Sequence, residues 1–263
     1  MNEINEIKGR LRESLEKGRV AYGMGIFSGS QAIVETAGFT GFDFLYLDTH
    51  IAPLSLENIQ PLVAASYASG ITPLIRVTQN DPNMINRALN LGCEGVVVPH
   101  VNNRSDAKIA VNAAKYAPQG NRGCCPNTRA THFCSIPWEE YSKKANELTW
   151  VIPIVESKEG IENFEDIISV NGIDMVIIGS WDLSVSLGIP GKDFTHPVMR
   201  EALEKMLKTC KKHGVVSWTT TVLSMSRDYT EMLKEMGLNM ISYNTDLGIF
   251  HLACLRLLKD GSL

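Results

Sequence analysis

The chain has 263 residues, 44% of them hydrophobic, and 25 basic side chains against 29 acidic ones give a formal charge of −4. That balance leaves no basic footprint for nucleic acid or an anionic bilayer, no apolar run approaches a membrane span, and the N-terminus is too polar for a signal peptide. The six cysteines, at 93, 124, 125, 134, 210 and 254, form no C-x-x-C pair and read as reduced thiols of a cytoplasmic protein.

In chain order, residues 2–17 set Ile4, Ile7, Leu11 and Leu15 among charges, the pattern of a short amphipathic helix. Val20–Phe27 is the first predicted strand, and Gly29-Ser30 opens the next helix. Phe42–Leu47 is the second strand and ends on Asp48-Thr49-His50; Leu56–Ser69 is helical. Thr72–Ile75 is a third strand, ending on Arg76, followed by a helix over Pro82–Leu91. Gly95–Val98 is a fourth, ending on Pro99-His100, with a helix over Arg104–Tyr116. Residues 117–149 read as a long irregular connection. The fifth and sixth strands, Val151–Val155 and Met175–Ile178, are apolar runs without alternation, as in a sheet buried on both faces. Helical spacing of Ile161, Phe164, Ile167 and Ile168 joins them. Val198–His213 is a helix, Val215–Trp218 a strand, Ser226–Met236 a helix, Asn239–Tyr243 the eighth strand, and Leu247–Leu258 a terminal helix. Strict βα alternation at this length predicts one (β/α)8 barrel over residues 1–263, with an extra N-terminal helix.

A barrel brings strand ends to one mouth. Asp48 and His50, Arg76, His100, Glu156 and Asp182 all follow apolar runs and are predicted to meet there. Glu156 and Asp182, with no Lys or Arg beside them at their strand tips, fit oxygen ligands of a hard divalent cation, Mg2+ or Mn2+. The alternative for Asp182 is a helix N-cap. Such a cation leaves positions for a 2-oxo acid, whose carbonyl it polarises toward an enolate. Arg76 offers a planar fork for the oxo oxygen; its alternative is a salt bridge to an acid on a neighbouring strand. His50 can move protons near neutral pH with Asp48 setting its tautomer or charge, or is a loop histidine without a role. His100 reads as a residue that holds a loop. No strand end carries a Schiff-base lysine, and there is no G-x-S-x-G elbow, phosphate loop or dinucleotide fingerprint. The glycines at 179, 188 and 191 are a weak signal of an anion-binding loop.

Six stretches carry a family likeness: A-G-F-T-G-F-D-F-L-Y-L-D (37–48), P-L-I-R-V (73–77), G-C-E-G-V-V-V-P-H-V (92–101), G-N-R-G (120–123), I-V-E-S (154–157) and G-S-W-D-L-S-V-S-L-G-I-P-G (179–191). In these the chain resembles the HpcH/HpaI aldolases, the class II pyruvate aldolases. The resemblance implies a (β/α)8 barrel with its terminal helix swapped between partners, and a homohexamer built as a trimer of dimers. It implies Mg2+, Mn2+ or Co2+ on Glu156 and Asp182, and Arg76 on the keto oxygen. Gly179, Ser180 and Trp181 are expected to line the substrate pocket. The implied reaction is reversible cleavage of a 4-hydroxy-2-oxo acid to pyruvate and an aldehyde.

The likeness breaks after the second strand. Family members carry Asp-x-Glu-His-x-Pro there, whereas this chain reads Asp48-Thr49-His50-Ile51-Ala52-Pro53. Aligned without a gap, Ile51 takes the place of the family's histidine. Continued strand alternation would instead put His50 on the face of Asp48, with Ile51 turned away into packing. Trp181 also replaces a small residue or Asn before the metal-binding acid. The metal-and-enolate half of the mechanism is thus expected intact. The altered half keeps two alternatives open: an oxaloacetate-type decarboxylase on the same site, or a barrel that binds an oxo acid without turning it over.

Overall fold

Alternation along eight short strands sorts the side chains between a barrel interior and a surrounding ring of helices. The computed structural model describes residues 9–260. Its elements run α1 (Arg10–Glu16), β1 (Ala21–Ile26), α2 (Gln31–Thr40), β2 (Phe44–Asp48), α3 (Leu56–Ala68), β3 (Thr72–Arg76), α4 (Pro82–Asn90), β4 (Gly95–Val98) and α5 (Arg104–Ala114). There follow a single 3-10 turn at Arg129–Thr131, α6 (Trp138–Leu148), β5 (Trp150–Val155), α7 (Lys158–Glu162), α8 (Phe164–Ile168), β6 (Met175–Ile178) and α9 (Ser180–Ser186). The chain closes with α10 (Pro197–His213), β7 (Val216–Thr220), α11 (Arg227–Glu235), β8 (Met240–Thr245) and α12 (Asp246–Asp260). The strands pair in sequence order, parallel throughout, and β8 returns to β1 to close the barrel. The expected (β/α)8 fold is present. Ile4 and Ile7 of the predicted N-terminal helix lie outside the described residues.

Phe44, Tyr46, Leu74, Val97, Ile152, Ile154, Met175, Ile177, Trp218 and Met240 fill the interior, and Leu11 of α1 joins them. The Leu11 backbone N–H donates to Thr72 Oγ1 at 3.2 Å, so α1 seals the end where the strands begin. The intervening residues, Leu45, Leu47, Ile75, Val96, Val151 and Val176 among them, face the helices. Phe44 and Trp218 meet edge to face at 4.9 Å. Burial of each such ring is worth about 1.5–3 kcal/mol relative to exposure. The rings fit because β1 is bare on this side. A Cβ at Gly23 would come within 2.5 Å of the Phe44 ring, and one at Gly25 within 2.5 Å of the Tyr46 ring.

Two helices depart from expectation. The connection predicted to be irregular contains α6, whose Trp138 and Tyr141 pack on Tyr116 at 5.0 and 6.0 Å. The Asn146 side chain bonds both backbone groups of Tyr116, fixing α6 against the end of α5. The segment after β6 coils at once into α9, with Gly179 as its N-cap and Asp182 in its first turn. Asp182 is therefore not the cap, and its carboxylate is exposed.

Candidate active site

The period-two alternation that fills the barrel also builds its mouth. Along β2 the inward positions are Phe44, Tyr46 and Asp48; along β3, Leu74 and Arg76; along β5, Ile152, Ile154 and then Glu156. The interior apolar layers thus end in a carboxylate, a guanidinium and a carboxylate. Asp48 and Arg76 are also direct partners in the β2–β3 register.

Asp48 is fully buried, and its two oxygens divide the work. Oδ1 accepts the backbone N–H groups of His50, Ile51 and Ala52 at 2.9, 2.6 and 2.9 Å, folding residues 49–52 into a tight turn. Oδ2 accepts from Arg76 Nη1 at 3.3 Å. The salt bridge read as the alternative for Arg76 therefore exists, yet it uses one nitrogen only. Arg76 Nε is shut off from water and has no partner. A buried donor left unsatisfied costs free energy and marks where an acceptor is missing.

His50 reaches the mouth by a different route from the one predicted. β2 ends at Asp48, so strand alternation does not extend to residue 50. The turn made by Asp48 carries the imidazole to Thr78, whose carbonyl lies 2.6 Å from Nδ1. A carbonyl oxygen can only accept, so Nδ1 holds the proton and, in the neutral ring, Nε2 is left with the lone pair. Thr78, rather than Asp48, sets the tautomer. Ile51 does not turn into packing either; it is 64% exposed.

His100 follows Pro99 with a left-handed backbone, φ 55°. Such a conformation is costly for a residue with a Cβ and persists where its surroundings hold it. Here Glu156 holds it: Oε1 lies 3.3 Å from both the backbone nitrogen and Nδ1 of His100. The two imidazoles of His50 and His100 then meet edge to face at 5.3 Å. His100, read from sequence as a loop-holding residue, is the link between His50 and Glu156.

Glu156 is only 6% exposed. Burial pushes its carboxyl above the usual carboxylate range; Arg76 works against that, Asp182 adds to it, and His100 opposes it. Gly179 makes the room it occupies, since a Cβ there would stand 2.8 Å from Glu156 Cβ and 3.0 Å from Oε2. Both contacts to His100 fall on Oε1, leaving Oε2 toward Gly179. Ser180 is buried and gives its hydroxyl to the Thr220 carbonyl at 3.2 Å. Trp181 is 49% exposed, so its indole forms rim rather than floor.

Among the described residues no group of three His, Cys, Asp or Glu side chains could hold a metal ion. The two carboxylates fit an open site: Glu156 is buried, raised by desolvation and repelled by Asp182, a state that a cation between them would relieve. Their hard oxygens are of the kind that would suit a divalent cation.

One anchor at this end escaped the sequence reading. Asp246, buried at the junction of β8 and α12, accepts the backbone N–H groups of Phe27 and Ser28 at 2.9 and 3.1 Å and ties the β1–α2 loop to the mouth. An acid immediately before the apolar pattern of the terminal helix was the available signal.

Residues 22–251 match the HpcH/HpaI aldolase/citrate lyase family. The chain belongs to that family. It is 32% identical over 201 residues to a 2-dehydro-3,6-dideoxy-6-sulfogluconate aldolase of Pseudomonas putida, spanning 76% of this chain and 78% of that one. It is 29% identical over 223 residues to the 5-keto-4-deoxy-D-glucarate aldolase of Escherichia coli (strain K12), 85% of each chain. The crystal structure of the HpcH/HpaI aldolase from Desulfitobacterium hafniense DCB-2 matches it with a TM-score of 0.89 at 27% identity, over 96% of each chain. The protein is thus an enzyme of the aldolase/lyase type on a (β/α)8 barrel. No helix among the described residues is long and apolar enough to cross a membrane.

Proposed function

We propose that this HpcH/HpaI family member is a divalent-metal-dependent, class II aldolase that cleaves a 4-hydroxy-2-oxo acid reversibly to pyruvate and an aldehyde. The observation that carries the reading is the buried Glu156 beside Arg76, whose Nε has no partner. Glu156 and Asp182 would hold the cation, Mg2+, Mn2+ or Co2+. When bound it supplies a Lewis acid for the oxo group. The oxo-deoxy acids in the names of the two aldolase relatives support a sugar-acid-derived substrate of this kind.

The chain's own groups divide the remaining work. Arg76 Nε donates to the oxo oxygen and stabilises the charge that gathers there as the C3–C4 bond breaks, a term commonly worth about 2.7–4 kcal/mol for one well-placed donor. His50 Nε2 takes the proton of the 4-hydroxyl as the aldehyde C=O forms, the electrons of the C3–C4 bond pass into the enolate whose oxygen Arg76 holds, and the proton on His50 is then given to C3 to release pyruvate. Asp48 acts through position: it fixes Arg76 with one oxygen and the His50 turn with the other. His100 keeps Glu156 oriented. Gly179 and Ser180 line the pocket beside Glu156, and Trp181 meets the aldehyde half at the rim.

Decarboxylation of an oxaloacetate-like acid is the second reading, favoured by the replacement of the family's Glu-His by His50-Ile51. It needs Arg76 and the acids but no base on a hydroxyl. The working form is proposed to be a cytoplasmic homohexamer, a trimer of dimers with α12 exchanged, because that helix leaves Leu247, Phe250, Leu257 and Leu258 exposed. The test is release of pyruvate from a 4-hydroxy-2-oxo acid with Mg2+ or Mn2+ and with chelator. Chelator-sensitive cleavage supports the reading. Cleavage unaffected by chelator removes the metal, and turnover of oxaloacetate alone moves the protein to the second reading.

A further inference from the structure

Tyr46 forms the aromatic layer directly beneath the mouth. It enters the barrel from β2, two residues before Asp48, and is 6% exposed. Its ring meets Trp218 at 5.7 Å and stands over Gly25, its register partner on β1. A Cβ at Gly25 would come within 2.5 Å of Cζ and 2.6 Å of Oη. Packing here needs the ring and not the hydroxyl, as Phe44 shows one layer below.

Burial first pushes the phenol well above the ordinary tyrosine range; Arg76 opposes that, and Asp48 and Asp246 add to it. Tyr46 is therefore a protonated donor at any working pH, and the charges that act on it belong to the mouth. The acceptors those charges offer are taken. Asp48 Oδ1 receives three backbone N–H groups and Oδ2 receives Arg76. Asp246 receives the N–H groups of Phe27, Ser28 and Leu247 and the Ser28 hydroxyl. Among the described residues the Tyr46 hydroxyl makes no hydrogen bond. A buried hydroxyl without an acceptor costs free energy and marks where one is missing.

The lean of the ring says which acceptor is missing. Arg76, His100, Glu156 and Asp182 follow β3, β4, β5 and β6, four neighbouring strands of the closed barrel. In the reaction proposed above they take the oxo end of the substrate. Tyr46 leans from β2 over β1, toward Asp246 after β8, and so floors the other arc of the mouth. C4 and the carbons beyond it must lie on that arc for His50, after β2, to take the 4-hydroxyl proton.

Resting on that aldol reaction, we infer that Tyr46 is a specificity-determining residue for the aldehyde half. Its hydroxyl donates to a hydroxyl oxygen on the carbon next to the aldehyde carbon, so 2-hydroxyaldehydes are favoured over their deoxy counterparts. A site that hydrogen-bonds a substrate hydroxyl rejects the analogue lacking it, because its own donor is then left unpaired.

The test joins pyruvate to glycolaldehyde or to acetaldehyde, two aldehydes that differ by one hydroxyl, on the full-length protein with Mg2+. Tyr46→Phe keeps the ring against Trp218 and Gly25, and an unchanged melting temperature checks that it folds as wild type. The variant should lose about five- to tenfold in kcat/KM for glycolaldehyde, the worth of one neutral hydrogen bond, and stay within about twofold for acetaldehyde. An equal loss with both aldehydes would make Tyr46 a structural floor and overturn the assignment. So would an unchanged rate with glycolaldehyde, or a wild type that accepts acetaldehyde alone. A wild type that joins pyruvate to neither aldehyde overturns the aldol reading itself, and is told apart because it needs no variant.

Discussion

The two ends of the barrel bury a different balance of charge, carboxylates at the mouth and mostly cations at the base, and each end solvates it with what the chain direction makes available. At the mouth the buried ions are Asp48 and Glu156, and their partners are backbone N–H groups of residues 50–52 and 100, with Arg76. At the base two cations, Lys115 and Arg122, are buried, and so is one carboxylate, Asp43, which accepts from the Tyr22 backbone N–H and the Ser14 hydroxyl. Lys115 gives Nζ to the carbonyls of Asn146 and Thr149 at 2.8 and 2.6 Å, at the end of α6. Every helix that follows a strand runs from mouth to base, so helix N-termini gather at one end and C-termini at the other. The mouth is therefore suited to carboxylates, and through them to a cation and an anionic substrate. The base, with its helix C-termini, is suited to cations, and its one buried carboxylate, Asp43, is held by a hydroxyl and a strand N–H instead.

The sharpest way to break this contrast is at the mouth acids. Glu156→Gln and Asp182→Asn should each lower turnover by on the order of 10³-fold or more if the cation supplies several kcal/mol of stabilisation. Both should keep the wild-type fold by circular dichroism, since neither side chain holds the barrel together. A variant that keeps near-normal turnover would remove its carboxylate from the metal site.

His50→Ala should lower aldol cleavage by about 10²–10⁴-fold, the range of a general base, and hardly change oxaloacetate decarboxylation. Ile51→His should not rescue it, because residue 51 points to solvent and only its N–H is engaged, by Asp48. Equal loss in both reactions would show that His50 shapes the site instead of moving a proton.

Arg76→Lys keeps the charge and loses the fork. With one nitrogen already committed to Asp48, the lost Nε donor should cost about 1.5–3 kcal/mol in kcat/KM. An unchanged kcat/KM would make Arg76 a structural partner of Asp48 alone.

How much of this was legible follows the same division. The eight strands and the gathering of Asp48, Arg76 and Glu156 were readable because a two-residue period cannot hide which face a strand tip presents. All eight strands fall within two residues of their predicted bounds. The turn after Asp48 was not readable, because three backbone donors on one oxygen replace strand geometry there and reset where residues 50 and 51 point. The contact between His100 and Glu156 joins loops 56 residues apart and leaves no local pattern. At the base, α6 was missed because its apolar stripe is thin: Trp138, Tyr141, Ala145 and Leu148 among polar neighbours. The cations there find their carbonyls only once the barrel closes.

The smallest effect, and the most direct probe of the mouth's electrostatics, is the pH dependence of stability without metal. Glu156 has its carboxyl raised mainly by burial, so the folded chain holds that proton more tightly than the unfolded chain does. The stability this contributes is complete below the ordinary carboxylate pKa, about 4.3, and is lost as pH rises through the raised value. Glu156→Gln cannot ionise and should escape that loss. In chelator the variant should melt above wild type at pH 8, and the gap should close as the pH falls toward 4. In a chain of this size about 1 kcal/mol of difference shows as roughly 2–4 °C. Added Mg2+ should reverse the order, because binding to the folded state stabilises wild type by mass action and the variant lacks the ligand. If the variant melts below wild type at pH 8 in chelator, Arg76 and His100 already satisfy an ionised Glu156, and the mouth is neutralised from within without requiring a cation.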